Sequence, residues 1–346
     1  MSKFFSFAKF SFACSSLIIL TACQQQPEPQ PAKAQLDSAQ TQHDAVDLTL
    51  LCQKLEKNMM EINAQRTTFA LEQINQDLKV CLPLQNLAKQ KQLLQHANTM
   101  YKNFLHVKRT SAQQLAFEQY AFDMAQHPTI HQSHFEQLTL RDQYLLKHQG
   151  QAYIELVDPT TTAIHYQRSS EYLGKIFAPY MPEAERVFIE NLALQNAEKA
   201  YAGQNLLIEP FEISRRALFW EDYVHQYPQS SYRQDAQYLL YQYKVFLFKG
   251  LKNTPVSGHY SDPIDVQVST IEELKKIAQL QNSTLATQAK NFLQFLDFSP
   301  EQRAQLTGGL DTLGPWQQLE IYLNLRNPLP NYKKDCFSDG ICLPSK

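Results

Sequence analysis

Between residues 44 and 326, apolar side chains recur at three- and four-residue spacing, the period of a helix with a buried face. The pattern predicts helices over 44–64, 67–80, 85–107, 111–126, 182–202, 211–226, 232–249, 270–281, 285–296 and 300–307, with another near 315–326. Two of them carry start or stop chemistry. Pro182 stands at a first-turn position ahead of Glu183 and Glu185, with Lys199 in the last turn and Gly203 beyond, matching the helix dipole and the preference for a glycine cap. Ser299-Pro300-Glu301-Gln302 reads as a capping box with proline at the first helical position. One stretch breaks the period. Residues 152–157 and 163–167 are rich in Tyr, Ile, Val and Thr and flank Asp158-Pro159-Thr160-Thr161-Thr162, which predicts a β-hairpin with a five-residue loop. A lone two-stranded hairpin is marginal in water, so this one is expected to pack on helices.

The N-terminus has a different pattern. Lys3 and Lys9 precede a short apolar run, Phe10 to Leu20, and small residues follow, the layout of a secretory signal too short to span a bilayer. Leu20-Thr21-Ala22-Cys23 resembles the lipobox of bacterial lipoproteins. That resemblance implies diacylation of the Cys23 thiol, typically with palmitate-class chains, and cleavage before it. In that family Asp after the cysteine favours retention at the inner membrane; Gln24 implies the outer membrane, lipid-anchored and on the periplasmic side rather than the cell surface. Residues 23–44 hold Pro27, Pro29 and Pro31 among Gln and Ala, too few apolar groups to offset ordering, and read as a tether reaching at most about 60 Å. Losing residues 1–22 leaves 30 basic against 34 acidic residues, a balance of −4, so membrane attachment falls to the acyl chains.

Six cysteines occur. With Cys14 in the signal and Cys23 acylated, Cys52, Cys81, Cys336 and Cys342 remain, an even number suited to an oxidising compartment. Leu48, Cys52, Leu55, Met59 and Ile62 form one helical stripe and Leu71, Ile74, Leu78 and Cys81 another. A turn within 63–68 brings both cysteines to the same level of an antiparallel hairpin, whereas one unbroken helix would hold them roughly 44 Å apart. Free buried thiols are the alternative. Cys336 and Cys342 bracket Asp339-Gly340, a turn signal, and are expected to close a small loop; their C-x5-C spacing without a second ligand pair is not a zinc pattern.

Residues 211–248 are the aromatic centre of the chain. Ala236, Leu239, Tyr243 and Leu247 make one stripe of the helix beginning at 232, and Tyr238, Tyr241, Val245 and Phe248 another, so that helix is expected to lie between neighbours. These aromatics read as core, with a ligand or peptide groove as the alternative. Residues 227–240, Tyr-Pro-Gln-Ser-Ser-Tyr followed by a helix with Ala236, resemble the helix-turn-helix junction of tetratricopeptide-like repeats in envelope lipoproteins. A weaker echo 53 residues on matches Ser283, Leu285, Ala289 and Leu293 to Ser230, Tyr232, Ala236 and Leu240. The interval is not the 34 residues of that repeat and no third copy appears. The resemblance implies stacked helical hairpins with a protein-binding concavity.

Chemistry is sparse. The nine glycines form no phosphate-binding loop, and GxSxG, HExxH and CxxC are missing. A net charge of −2 gives no footprint for nucleic acid. His127, His131 and His134, with Glu136 behind, would share a face of a continuous helix and could ligate zinc or copper, but Pro128 pushes His127 out of the helix and favours a solvated loop. Glu183 with Glu185, and Glu272 with Glu273, read as charge near helix starts. The expected fold is mostly α, stacked antiparallel helical hairpins of irregular tetratricopeptide-like form with one small β-hairpin. It divides into a signal (1–22), a tether (23–44), an N-terminal helical region (45–150), a helical-hairpin region (151–330) and a disulfide-looped tail (331–346). The expected function is a non-catalytic scaffold or interaction module without cofactor, anchored by its acyl chains and bound to an envelope protein. The rival is a periplasmic enzyme or metal binder built on the histidines or on a pocket the sequence does not reveal.

Overall fold

The helix α1 (Leu48–Met60) runs into a turn over 61–67 and returns as α2 (Thr68–Cys81). Leu55, Met59, Ile62, Leu71, Ile74, Leu78 and Cys81 are all buried along the shared seam, while Leu48, at the head of the predicted stripe, is exposed. Cys52 and Cys81 are disulfide-bonded with their Cα atoms 5.5 Å apart. Both follow from the two apolar stripes meeting across a turn. Replacing both cysteines with alanine should lower stability by roughly 3 kcal/mol in the chain-entropy picture. The check is the denaturant midpoint, which would stay put if helix packing alone held the hairpin.

This computed structural model describes residues 48–127, 132–157, 163–306 and 313–344. The signal, Cys23, the tether, His131 and the expected 158–162 loop lie outside them. Next come α3 (Leu87–Phe104), α4 (Ser111–Gln126), the single turn α5 (Gln132–Phe135) and α6 (Leu140–Lys147). Thr110 opens α4 with a capping box completed by Gln113. The hairpin of β1 (Ile154–Leu156) and β2 (Tyr166–Arg168) pairs antiparallel with Ile154 opposite Arg168. It packs on helices as expected: Ile154 is fully buried and the Tyr166 ring lies 5.3 Å from that of Phe117 in α4.

After α7 (Glu171–Ile176) and α8 (Glu183–Ala197), two helical hairpins stack: α9 (Pro210–Gln226) with α10 (Arg233–Phe248), and α11 (Val268–Ile277) with α12 (Thr284–Leu296). The short helices α13 (Pro300–Leu306) and α14 (Pro315–Tyr322) follow. The expected box at Ser299 forms, with the Gln302 N–H donating to Ser299 Oγ at 3.3 Å and the Ser299 N–H to Gln302 Oε1 at 2.8 Å. Three further two-stranded hairpins went unread in the sequence: β3 (Tyr201–Ala202) with β4 (Asn205–Leu206), β5 (Gly250–Leu251) with β6 (Thr254–Pro255), and β7 (Lys334–Asp335) with β8 (Leu343–Pro344).

The helix expected over 182–202 stops at Ala197, because Gly203, at φ +58°, turns the β3–β4 hairpin instead of capping the helix. The α6 and α7 helices were missed for a physical reason, since each is too short to display a full apolar period. Glu272 and Glu273 lie in the second turn of α11, so they are not the first-turn charges expected.

A repeated device sets the stacking. Glu185 of α8 is buried and accepts the Ser231 N–H at 3.2 Å and the Ser231 hydroxyl at 2.8 Å, next to the start of α10. Glu221 of α9 is buried likewise and accepts the Ser283 hydroxyl at 2.5 Å and the Leu285 N–H at 3.1 Å at the start of α12. Glu221 thus satisfies an orphan donor in the first turn of α12, and Glu185 ties down the turn that leads into α10. Burial opposes ionisation of Glu221, but the hydrogen bonds from Ser283, Thr284 and Leu285 hold its carboxyl below the usual range.

The tail closes back onto this body. Cys336 and Cys342 are bonded, and Tyr332 stacks on Tyr238 of α10 at 4.1 Å while donating its hydroxyl to Asp235 at 2.6 Å. Buried apolar residues from Leu55 to Cys342 join one core.

Candidate interaction surface

At the open end of the α9–α11 layer, two hairpins frame a small hollow. Leu206 in β4 donates its N–H to Thr254 Oγ1 at 2.9 Å, and Asn253 donates its N–H to the Gln204 carbonyl at 3.0 Å, tying β3–β4 to β5–β6. Gly250 has φ +75°, and a Cβ there would lie 2.2 Å from the Thr254 carbonyl oxygen, so only glycine closes the second hairpin. Gln267, just ahead of α11, donates from Nε2 to the Pro255 carbonyl at 2.8 Å and so fixes the third wall.

The hollow has a volume of about 140 Å³ and is open to solvent, with Leu206, Ile208, Ile213, Phe246 and Val256 on its apolar side and Glu209, Thr254, Gln267 and Thr270 among its polar residues. Residues adjoining these in sequence are large, apolar and exposed: Leu207, Phe211 at 64% and Val268 at 73% exposure. Phe211 and Val268 open α9 and α11, whose packing is fixed by the Ser214 hydroxyl, 2.6 Å from Glu273 Oε1. The hollow is thus mixed in lining, apolar on one side and polar on the other, and three exposed apolar residues neighbour its lining in sequence. A second, more open hollow of about 400 Å³ lies by His259, Tyr260, Trp316 and Gln317.

The aromatic centre divides between core and surface. Trp220, Tyr223, Tyr243 and Phe248 are buried, Trp220 donating its indole N–H to Gln195 Oε1 at 2.9 Å. Tyr238 and Tyr241 are half-buried and Phe211 is exposed, so the expectation of uniform core fails at the start of α9. Phe211 lies in the first turn of α9, at one end of the hairpin. Sequence reading passed over Leu206-Leu207-Ile208, three apolar residues directly before Pro210. That run was the available signal, since a helix start needs no such cluster unless something covers it.

Arg216, fully buried in α9, is held by several partners. The Arg216 guanidinium donates through Nε to Glu212 at 2.5 Å and through Nη1 to the carbonyls of Gln195 at 3.0 Å and Glu198 at 3.1 Å. The paired guanidinium groups of Arg215 and Arg216 keep the Glu212 carboxyl low. Tyr201, packed between Phe246 and Phe337, is pushed up to about 12 by burial.

His127 and His134 do not share a helix. The α4 helix ends at Gln126, His127 is its exposed cap residue, and His134 belongs to the separate turn α5, its ring stacked 4.0 Å from Tyr120. The exposed, non-helical His127 agrees with the expectation that a following proline disfavours the helical conformation there. Among the described residues no group of three or more His, Cys, Asp or Glu is placed to hold a metal ion. No described helix is long and apolar enough to cross a membrane. Neither a family model, nor a curated protein, nor a solved structure matches the chain.

Proposed function

We propose that this chain is a lipid-anchored envelope protein whose helical body works as a non-catalytic interaction scaffold. The anchor is Cys23 in its lipobox-like context, facing the periplasm from the outer membrane. The observation that carries the scaffold reading is the set of large apolar side chains left exposed at Leu207, Phe211 and Val268, next in sequence to residues that line the hollow between β3–β4, β5–β6 and the starts of α9 and α11. Leaving those side chains in water forgoes about 1.5–3 kcal/mol each relative to burial, a cost that an obligate or frequent partner removes. The partner chemistry is a protein segment that covers Leu207, Phe211 and Val268 with apolar side chains and sets a small group with both apolar and hydrogen-bonding atoms in the hollow of about 140 Å³.

One crosslinking experiment in cells tests both halves. In the native protein, crosslinks should map to residues near 207–211 and 254–268. Phe211→Glu should remove them while leaving the thermal midpoint in place, because the residue is exposed. Cys23→Ser should move the protein out of the membrane fraction or block its processing. Unchanged crosslinks in the first variant would overturn the interaction surface, and unchanged processing, mass and membrane retention in the second would overturn the anchor.

A further inference from the structure

The ends of three helices converge on Arg141 at the other extremity of the α1–α2 hairpin, 12 residues along α1 from Leu48. Its guanidinium donates to the carbonyl of Arg66 at 3.0 Å and to that of Phe104 at 2.6 Å, and covers the Phe104 ring at 4.3 Å. Tyr144, one turn on, takes the Thr68 N–H at 2.7 Å. These bonds fix the α1–α2 turn, the end of α3 and the start of α6 side by side. Beside the fixed residues stand three large apolar side chains given to water: Met60 at 64%, Phe69 at 73% and Leu140 at 84% exposure. Around them Arg66, Lys102 and Lys108 are exposed and form no ion pair among the described residues. Lys57 is answered by Glu61 at 3.9 Å, and Glu72 is the other exposed acid nearby.

We infer that this end of the hairpin is a membrane-docking surface, with Phe69, Leu140 and Met60 entering the headgroup region of a bilayer rich in anionic phospholipid. The choice of a bilayer as occupant rests on the proposed Cys23 anchor. From Cys23 to Leu48 the chain has 24 intervening residues, a reach of at most about 80 Å. The α1 helix needs only about 18 Å of that to bring its far end down to the lipid. Within such a radius the surface meets lipid at high effective concentration, so weak affinity suffices. Exposed Phe, Leu and Met flanked by unpaired Lys and Arg is the composition that interfacial binding uses, apolar burial adding to attraction for anionic headgroups.

The test uses the chain from Gln24 to Lys346, which holds the whole described core and both described disulfides but carries no acyl group. Phe69→Trp and, as a control at the opposite end, Leu84→Trp are titrated with vesicles of phosphatidylethanolamine and phosphatidylglycerol bearing brominated acyl chains. The Phe69→Trp emission should be quenched and blue-shifted relative to the parent, and Leu84→Trp should not change. Adding Arg66→Glu and Lys108→Glu should weaken the partition by about tenfold or more, as should high salt. Absence of quenching at saturating lipid, quenching of Leu84→Trp instead, or indifference to the charge reversals would each overturn the proposal. Cell fractionation of Cys23→Ser reports on the anchor separately, so failure of one reading is told apart from failure of the other.

Discussion

Replacing Asp339 with alanine should destabilise the fold by about 3–5 kcal/mol, because it strands a guanidinium in the interior. Asp339 and Arg168 are buried together and form an ion pair and hydrogen bond 171 residues apart in sequence. Burial pushes the Asp339 carboxyl upward, and the Arg168 charge and the Gly340 N–H oppose it. Arg168 lies 4.6 Å from the ring of Tyr172, and its Nε and Nη1 have no hydrogen-bond partner among the described residues. Its one strong acceptor is thus the tail carboxylate. Asn196 reinforces the same seat, donating from Nδ2 to the carbonyls of Cys336 at 2.9 Å and Asp339 at 2.7 Å. A Cβ on Gly340 would come within 3.2 Å of both the Leu173 Cβ and the Ser170 carbonyl, so the loop fits only as glycine allows.

The double variant Arg168→Met/Asp339→Leu should recover most of the loss, since a well-packed apolar pair avoids the desolvation of two charges. Chemical denaturation of the three variants closes the cycle. A cost for Asp339→Ala within about 0.5 kcal/mol of zero would mean that the tail contributes little to the fold.

Truncating Leu239 should cost about 2–5 kcal/mol through lost transfer energy and a residual cavity. Leu239 is fully buried in α10. Tyr241, on the other stripe, is half-buried, its hydroxyl raised by partial desolvation. Tyr241→Ala should therefore cost less than about half as much, because surrounding side chains and water can fill the space it leaves. Thermal and denaturant midpoints of the two variants measure the difference. Equal losses would mean that the second stripe is packed as tightly as the first.

The unequal stripes show how far local reading extends. Period alone placed α1, α2, α9, α10 and α12 to within a few residues, and the cysteine stripes anticipated the Cys52–Cys81 bond. Those are local quantities: which side chains share a helix face, and where a proline or cap ends it. Pro128 likewise separated His127 from His134 before any contact was known. Element ends were less secure, as Gly203 illustrates, because a glycine with positive φ serves a helix cap or a hairpin turn equally well.

The sequence by itself determined the helical class, the hairpin pairing around Cys52 and Cys81, and the small loop of Cys336 and Cys342. Tertiary structure alone decided what surrounds each charged and exposed group. Nothing near Arg168 in sequence announces Asp339, and nothing near Glu185 or Glu221 announces Ser231 or Ser283 as the donors they satisfy. The hollow beside Phe211 is assembled from β4, β6 and three helices that no single window contains. The convergence at Arg141 likewise joins residues 66, 104 and 141. The physical reason is the same in each case. Helix periodicity is written in neighbours three and four apart, whereas burial of a charge or exposure of a large apolar side chain depends on which distant segment the fold brings to cover it.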